Sequence, residues 1–416
     1  MQPNKLKLIS REFSGFERSF AAQAAHFTRL RPEWGIDCEF EEIHRLYNRM
    51  VKGREAEQGD YDLFLCVSDW LPEAIRGQLL VPLDEFLEQD PPEDWPDAWS
   101  PSMRQLQTGE DGKVYGIAYH DGPEMLLYRN DLFEDPLEQE TFRQTYGYEL
   151  KVPVTWDEFL DAARFFTRPE RNLHGALIAA YPDGHNNVYD FLIHLWSRGG
   201  ELVTKEWEPA FHGTAGEEAL QYYVDLLHKH KVVPEESLKM DSVKSGDYFA
   251  QGGAAMMWNW CGFAAVAEMP GSKVAGNVKT GLIPRGDGPV CKHMSLNIYW
   301  VLGIPFGSKN KEAAYQFIKE AASAEMDKLT SMSGGNGTRL STWRDVEVRS
   351  VFSYYEHIEE VHRNVNSPLP IPEYPAINDV LSRMVDDAVN LRKTVRRALE
   401  EASAKVGSIL KEGGYR

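Results

Sequence analysis

Two short apolar runs in this chain stop at clusters of polar and aromatic residues. The stretch YDLFLCVSDW, residues 61–70, ends at Ser68-Asp69-Trp70, and GKVYGIAYHDGPEMLLYRNDLF, residues 112–133, is interrupted at His120-Asp121-Gly122. Asp69 and Asp121 are short carboxylates able to accept from neighbouring hydroxyls, Trp70 offers an apolar ring face, and His120 can donate or accept. This is the chemistry of recognition. Acidic residues are abundant, yet none is framed as the carboxyl pair that glycoside hydrolysis needs. No GxSxG, HExxH or GxxxxGK[ST] pattern occurs, so acyl transfer, zinc hydrolysis and nucleotide hydrolysis have no positive signal. His228 and His230, two apart on a helical stretch, point to different faces and argue against paired ligation. The expectation is a protein with no catalytic residue, no metal and no cofactor.

The elements that must position these residues read as α/β. Residues 5–10 form a strand, 15–29 a helix with Phe16, Phe20, Ala24 and Phe27 at helical spacing, 37–42 a strand, 45–57 a helical stretch, and 63–67 a strand. That β-α-β-α-β order implies a mostly parallel sheet, whose crevice lies just past the carboxyl ends of its strands. Asp69, Trp70, His120 and Asp121 occupy such positions. Residues 91–101 are a proline-rich loop, with Trp95 and Trp99 packed against the lobe. Beyond Tyr128 the pattern is mainly helical. A capping box at Thr155 and Glu158 opens a helix over 156–166, and further helices are expected at 188–198, 217–230, 311–322, 354–361 and 377–410. Strand signals return at 254–258, 280–283 and 298–304. Strands so far apart in sequence fit a chain that crosses between two lobes more than once.

Composition narrows the partners. A length of 416 residues exceeds one ordinary core and points to about two or three domains. Lys+Arg of 45 against Asp+Glu of 64 gives 45 − 64 = −19, a field that repels nucleic acid and anionic lipid. No window approaches the ~18 apolar residues of a membrane span, and MQPNKLKLIS lacks the apolar core of a secretion signal. The chain as given is either cytoplasmic or the product of signal removal. Cys38, Cys66, Cys261 and Cys291 are scattered without CxxC spacing, so no disulfide is expected.

A resemblance covers nearly the whole chain. YDLFLCVSDWLPEAIRGQLLVPLDEFL, GKVYGIAYHDGPEMLLYRNDLF, PVTWDEFLDAARFFT, FLIHLWSRGGELV, ALQYYVDLLHKHKVVP, FAQGGAAMMWNW and WVLGIPFGSKNKEAAYQFIKEAAS follow one another as they do in extracellular solute-binding proteins of the carbohydrate-uptake group. The chain thus resembles the substrate-binding component of an ABC-type sugar importer. The resemblance implies a two-lobed, periplasmic-binding-protein-like α/β fold, each lobe a mostly parallel sheet flanked by helices. It assigns residues 1–119 and 278–326 to an N-terminal lobe and 124–277 and 327–416 to a C-terminal lobe, with hinges near 120–125 and 277–284. It implies a monomer that holds a carbohydrate in the inter-lobe cleft, closes by hinge motion and delivers the ligand to the membrane permease subunits of the importer, in a periplasmic or extracytoplasmic location. One departure is Ser295-Leu296-Asn297-Ile298-Tyr299, where the family commonly has a small glycine-rich turn. Two other functions compete with this one: a sugar-sensing receptor for a signalling partner, and a carbohydrate-active enzyme.

Sugar recognition needs aromatic faces for the C–H surfaces of a pyranose and planar polar groups for vicinal hydroxyls. Trp258-Asn259-Trp260 supplies both, with the two rings on the same side of an extended chain. By resemblance Trp300, with Tyr299 before it, borders the cleft. So do Arg11 and Ser14 at the end of the first strand, and Asn336 and Arg339 in the loop SGGNGTR. The polar loop YPDGHNN brings Asn186 and Asn187. The competing uses are a helix cap for Asp69, core packing for the tryptophans and a solvated loop for the asparagines. Arg11 could hold an acidic substituent in bidentate fashion, but an ion pair with Glu12 or Glu17 is its expected use. Histidine titration at His120 would make ligand affinity depend on pH near neutrality. The aromatic content favours a glycoside over a small polyol.

Overall fold

The computed structural model describes residues 4–415. Its strands, in chain order, are β1 (Asn4–Arg11), β2 (Trp34–Glu41), β3 (Leu63–Val67), β4 (Ile117–His120), β5 (Glu124–Arg129), β6 (His174–Leu177), β7 (Ala254–Trp260), β8 (Val278–Gly281), β9 (Ser295–Leu296), β10 (Trp300–Gly303) and β11 (Val365–Asn366). Two compact units share the chain. The first runs through Gly122 and takes in Asn297–Val351 and Ser367–Pro372; the second holds Pro123–Leu296, Phe352–Asn366 and the chain from Glu373 onward.

The first unit is built on a sheet of order β2-β1-β3-β10-β4. Its apolar runs explain its burial: every residue of LFLCV in β3 is buried, and Leu6, Leu8 and Ile9 of β1 have no exposed surface. The helix Ser14–Leu30 presents Phe16, Phe20 and Phe27 from one face to the core. It is joined to the late helix Ala324–Met332 by Gln23, whose amide donates to Thr330 Oγ1 at 3.0 Å and the Met326 carbonyl at 3.2 Å. Residues 327–351 therefore belong to the first unit, not to the C-terminal lobe expected for them.

The second unit is built on a sheet of order β6-β7-β5-β8. The strand β8 pairs antiparallel with β5, Leu126 opposite Gly281, so residues 278–281 also lie in a different unit from the one expected. The second crossing of the chain falls between Leu296 and Asn297 rather than at 277–284. The expectation of mostly parallel sheets is met, with one antiparallel strand in each. The pairs β1–β2, β1–β3 and β6–β7 are parallel, while β10 runs antiparallel to β3 and β4, and β5 to β7 and β8. The strands β1, β2, β3 and β4 thus run one way with β10 against them, and β6, β7 and β8 run one way with β5 against them.

Helix starts follow their caps. Thr155 and Glu158 close a capping box on the helix Trp156–Phe166. The single helix expected over 377–410 is two, Tyr374–Val389 and Val395–Glu412. Leu391 between them has φ of 56°, which no continuing right-handed helix permits, and Thr394 caps the second by accepting from Arg397 N. Among the described residues no helix is long and apolar enough to cross a membrane.

Candidate functional site

In the first unit the expected residues fall at the ends of β1, β3, β4 and β10. Trp300 opens β10 and is 7% exposed; its indole lies edge-on to the half-buried Trp70, with centroids 6.0 Å apart, and to Phe16 at 5.9 Å. Tyr47 extends the row at 5.0 Å from Trp70. Arg11, the last residue of β1, is half-buried with its guanidinium 5.8 Å from the Trp300 ring centroid. Burial holds its pKa below the usual arginine value, partly offset by the charge of Glu42. Among the described residues Arg11 has no ion pair with Glu12 or Glu17, both exposed, so the structural use expected of it is not found.

His120 packs edge-on against Phe16 at 4.9 Å and Phe13 at 6.1 Å. Its Nδ1 lies 2.8 Å from the backbone N of Asn336, which can only donate, so Nδ1 accepts and the ring is neutral with its proton on Nε2. Burial, reinforced by the Arg11 charge, pushes its pKa down to about 3. The expected titration near neutrality therefore does not occur on this ring. The glycine-rich loop supplying Asn336 is pinned from behind. The buried Asp327 accepts from the backbone N of Thr338 at 2.8 Å and of Arg339 at 3.1 Å. Gly334 has φ of 92°, and a Cβ on Gly337 would lie 2.6 Å from Asp327 Oδ2, so these two positions require glycine.

Other expected residues of this unit sit differently. Trp70, not Asp69, occupies the cap position of the helix Leu71–Arg76, and Asp69 is half-buried at the end of β3. Asp121 is 1% exposed, with its backbone N bonded to the Asn336 carbonyl at 2.9 Å. Ser14 is exposed and begins a helix. Tyr299 and Arg339 are interior groups. The Tyr299 hydroxyl donates to the Met103 carbonyl, and Arg339, 2% exposed, donates to the carbonyls of Glu93 and Ala322 while lying 4.9 Å from the Trp99 ring centroid. Both fill the interior because backbone carbonyls there need donors.

In the second unit Trp258 and Trp260 do lie on the same side of β7, as their spacing requires, but that side is met by the helix Asn186–Ser197. Trp258 is 2% exposed, packs edge-on against Trp156, Phe159 and His194, and donates to Asp190 Oδ1 at 2.7 Å. It is core. Asn259 points the other way and donates to Ser245 Oγ and the Ser242 carbonyl, so it too is structural. Trp260 is half-buried, with its Nε1 3.3 Å from Asn186 Oδ1 and its ring edge-on to Tyr189. Asn186 in turn donates to Glu124 Oε1 at 3.1 Å, and Asn187 is tied to Ser382.

Glu124 was not anticipated, though a carboxyl heading the apolar strand EMLLYR was a readable signal. It has no exposed surface, its Oε2 has no hydrogen-bond partner among the described residues, and burial together with Asp190 raises its pKa well above the carboxylate range. Burial pushes Asp190 up to about 7, against the lowering effect of hydrogen bonds from Tyr223 and Trp258. A cavity of about 590 Å³ elsewhere in this unit, lined by Arg198, Glu217, Tyr222 and Arg396 among others, holds none of these residues. Among the described residues no cluster of His, Cys, Asp and Glu could hold a metal ion.

Comparison with known proteins places this geometry. The family model described as bacterial extracellular solute-binding protein matches residues 18–328. A mannitol-binding protein of Pseudomonas aeruginosa is 23% identical over 325 residues, covering 73% of this chain and 71% of its own. A probable ABC transporter-binding protein of Deinococcus radiodurans is 22% identical over 366 residues, covering 86% and 82%. Among solved structures, maltose-bound MalE3 of T. maritima superposes with a TM-score of 0.83 at 23% identity, over 98% of this chain and all of that one. A solute-binding protein of Agrobacterium vitis with bound D-mannitol gives 0.80 at 23%, over 99% of both.

Proposed function

The chain belongs to the bacterial extracellular solute-binding protein family, and we propose that it is a receptor for a sugar or polyol that it delivers to an ABC-type importer outside the cytoplasm. The observation that carries this reading is the row Tyr47, Trp70 and Trp300 in the first unit, bordered by the Arg11 guanidinium and the neutral His120 ring. An apolar ring wall beside fixed donors matches the two faces of a carbohydrate. Asp69 is a further ligand group of the proposal, half-buried just past β3. Trp258, Asn259 and Tyr299 drop out of it because their side-chain donors are bonded inside the protein, and Arg339 because it is buried with its guanidinium on the Glu93 and Ala322 carbonyls. Polyols named for two of the relatives widen the ligand class beyond the glycoside that aromatic content favoured.

The proposed mechanism is ligand-driven population shift. A solute that binds one arrangement of the protein more tightly than another shifts the population toward it, and the importer reads that arrangement. This part of the proposal rests on the family resemblance. The test is a thermal-shift panel of neutral and acidic sugars and alditols, followed by calorimetry and by chromatography of the recovered ligand. A ligand that binds only the folded state raises Tm. Saturable binding with the ligand recovered intact supports a receptor; turnover would replace it with an enzyme, and silence across the panel would remove the carbohydrate reading.

A further inference from the structure

We propose that the solute carries a single carboxylate, as an aldonic or uronic acid does, and that Arg11 holds it. The inference rests on the reading above, in which the ring row of the first unit is a solute site, and goes further by naming the charge of the solute.

Arg11 is an unusual arginine. It closes β1 in a half-buried position, and among the described residues its guanidinium has neither an ion-pair partner nor a hydrogen-bond partner; its recorded contact is with the Trp300 ring. A cation removed from water without a partner is costly, and folded proteins retain such groups where something else completes them. The nearby carboxylates do not. Glu42 acts on Arg11 only through space, because its own Oε2 caps the helix Ile43–Tyr47, accepting from His44 N at 3.0 Å and Arg45 N at 3.1 Å. Glu12 and Glu17 point into solvent.

The neighbouring groups suit an anion with a sugar body. The His120 tautomer is fixed by the Asn336 N–H on Nδ1, which leaves Nε2–H as a second donor, held neutral beside Arg11. The planar fork of a guanidinium matches a carboxylate in bidentate fashion, and the Trp300 face beneath it receives the C–H surface of the sugar. One charge is the right number. The chain carries a net charge of −19, so one free cation balances a monoanion and leaves a phosphate dianion undercompensated. A neutral sugar would satisfy the guanidinium hydrogens but not its charge.

The experiment is calorimetry at pH 7 on the full chain with matched pairs: D-glucuronate against D-glucose, D-galacturonate against D-galactose, and D-gluconate against D-glucitol. At least one acid should bind about thirtyfold or more tighter than its neutral partner, the range for a buried charge pair. R11M should erase that advantage and R11K should keep part of it. The pattern of acids bound separates a ring-borne uronate from an open-chain aldonate. Neutral members binding as well as the acids would overturn the proposal while leaving the sugar receptor standing, and so would an acid preference that survives R11M. If no member of any pair binds, the receptor reading falls together with it. Should R11M fail to fold, R11Q supplies the same comparison.

Discussion

In the first unit Trp70 and Trp300 lie edge-on with a guanidinium above one of them, and among the described residues neither the Arg11 side chain nor His120 Nε2 has a protein acceptor. In the second unit Trp258 and Trp260 come from equally aromatic sequence, yet each indole N–H ends on a side chain of the helix Asn186–Ser197. The Asp190 carboxyl on that helix likewise takes two hydrogen bonds from rings of its own unit. The contrast teaches that residue type at a strand end does not identify a binding group. What identifies it is whether its hydrogen-bonding capacity is already met inside the fold.

The contrast breaks most visibly at Trp258. Trp258→Ala removes a buried indole and leaves Asp190 Oδ1 without its donor, so it should cost about 3–5 kcal/mol in urea denaturation while the surviving folded protein keeps its solute affinity. A stable variant that no longer binds would make this ring a ligand face after all. Next comes Trp70→Ala, expected to do the reverse: affinity falls by more than about tenfold, or 1.4 kcal/mol, with a stability change of about 1 kcal/mol or less. Calorimetry and denaturation on the same preparation decide it.

Acidity should sharpen the comparison, because the two units respond with opposite sign. The folded pKa of His120 is depressed to about 3, so its contribution is whole above the unfolded value near 6.5 and is lost as pH falls toward 3. Asp190 is raised to about 7, so its contribution is present below the unfolded value near 3.8 and is lost as pH rises through 7. Hydrogen exchange followed by mass spectrometry should find the first unit loosening as pH falls from about 6.5 toward 3 and the second loosening as pH rises from about 4 to 7, and Asp190→Asn should flatten the second dependence. The smallest effect belongs to Asn259→Ala, about 1 kcal/mol of stability with no change in affinity, measured by thermal denaturation and calorimetry.

Local signals carried the parts of this fold that depend on near neighbours. The apolar run of β3 and the capping box at Thr155 could be read to the residue, because each needs only a few adjacent side chains. The break at Leu391 could not: no glycine or proline marks it, and a left-handed leucine is held by the packing of the two helices it joins. Placing β8 failed because strand pairing is nonlocal, with Leu126 and Gly281 meeting across more than a hundred and fifty residues. The site shows the same divide. Spacing put Trp258 and Trp260 on one face, but only the fold reveals that Asp190 and Asn186 wait on that face.

The sheet order of the first unit bears on how the chain is made. The strand β10 sits between β3 and β4, with Val301 opposite both Cys66 and Ala118. Until residue 303 has left the ribosome, β3 and β4 have no common partner and the sheet remains open at that position. The second unit, in turn, draws its helices from both sides of the returning segment. Both halves of the molecule thus reach completion late in synthesis, and a fragment ending before β10 would display two unpaired strand edges ready to join those of other chains.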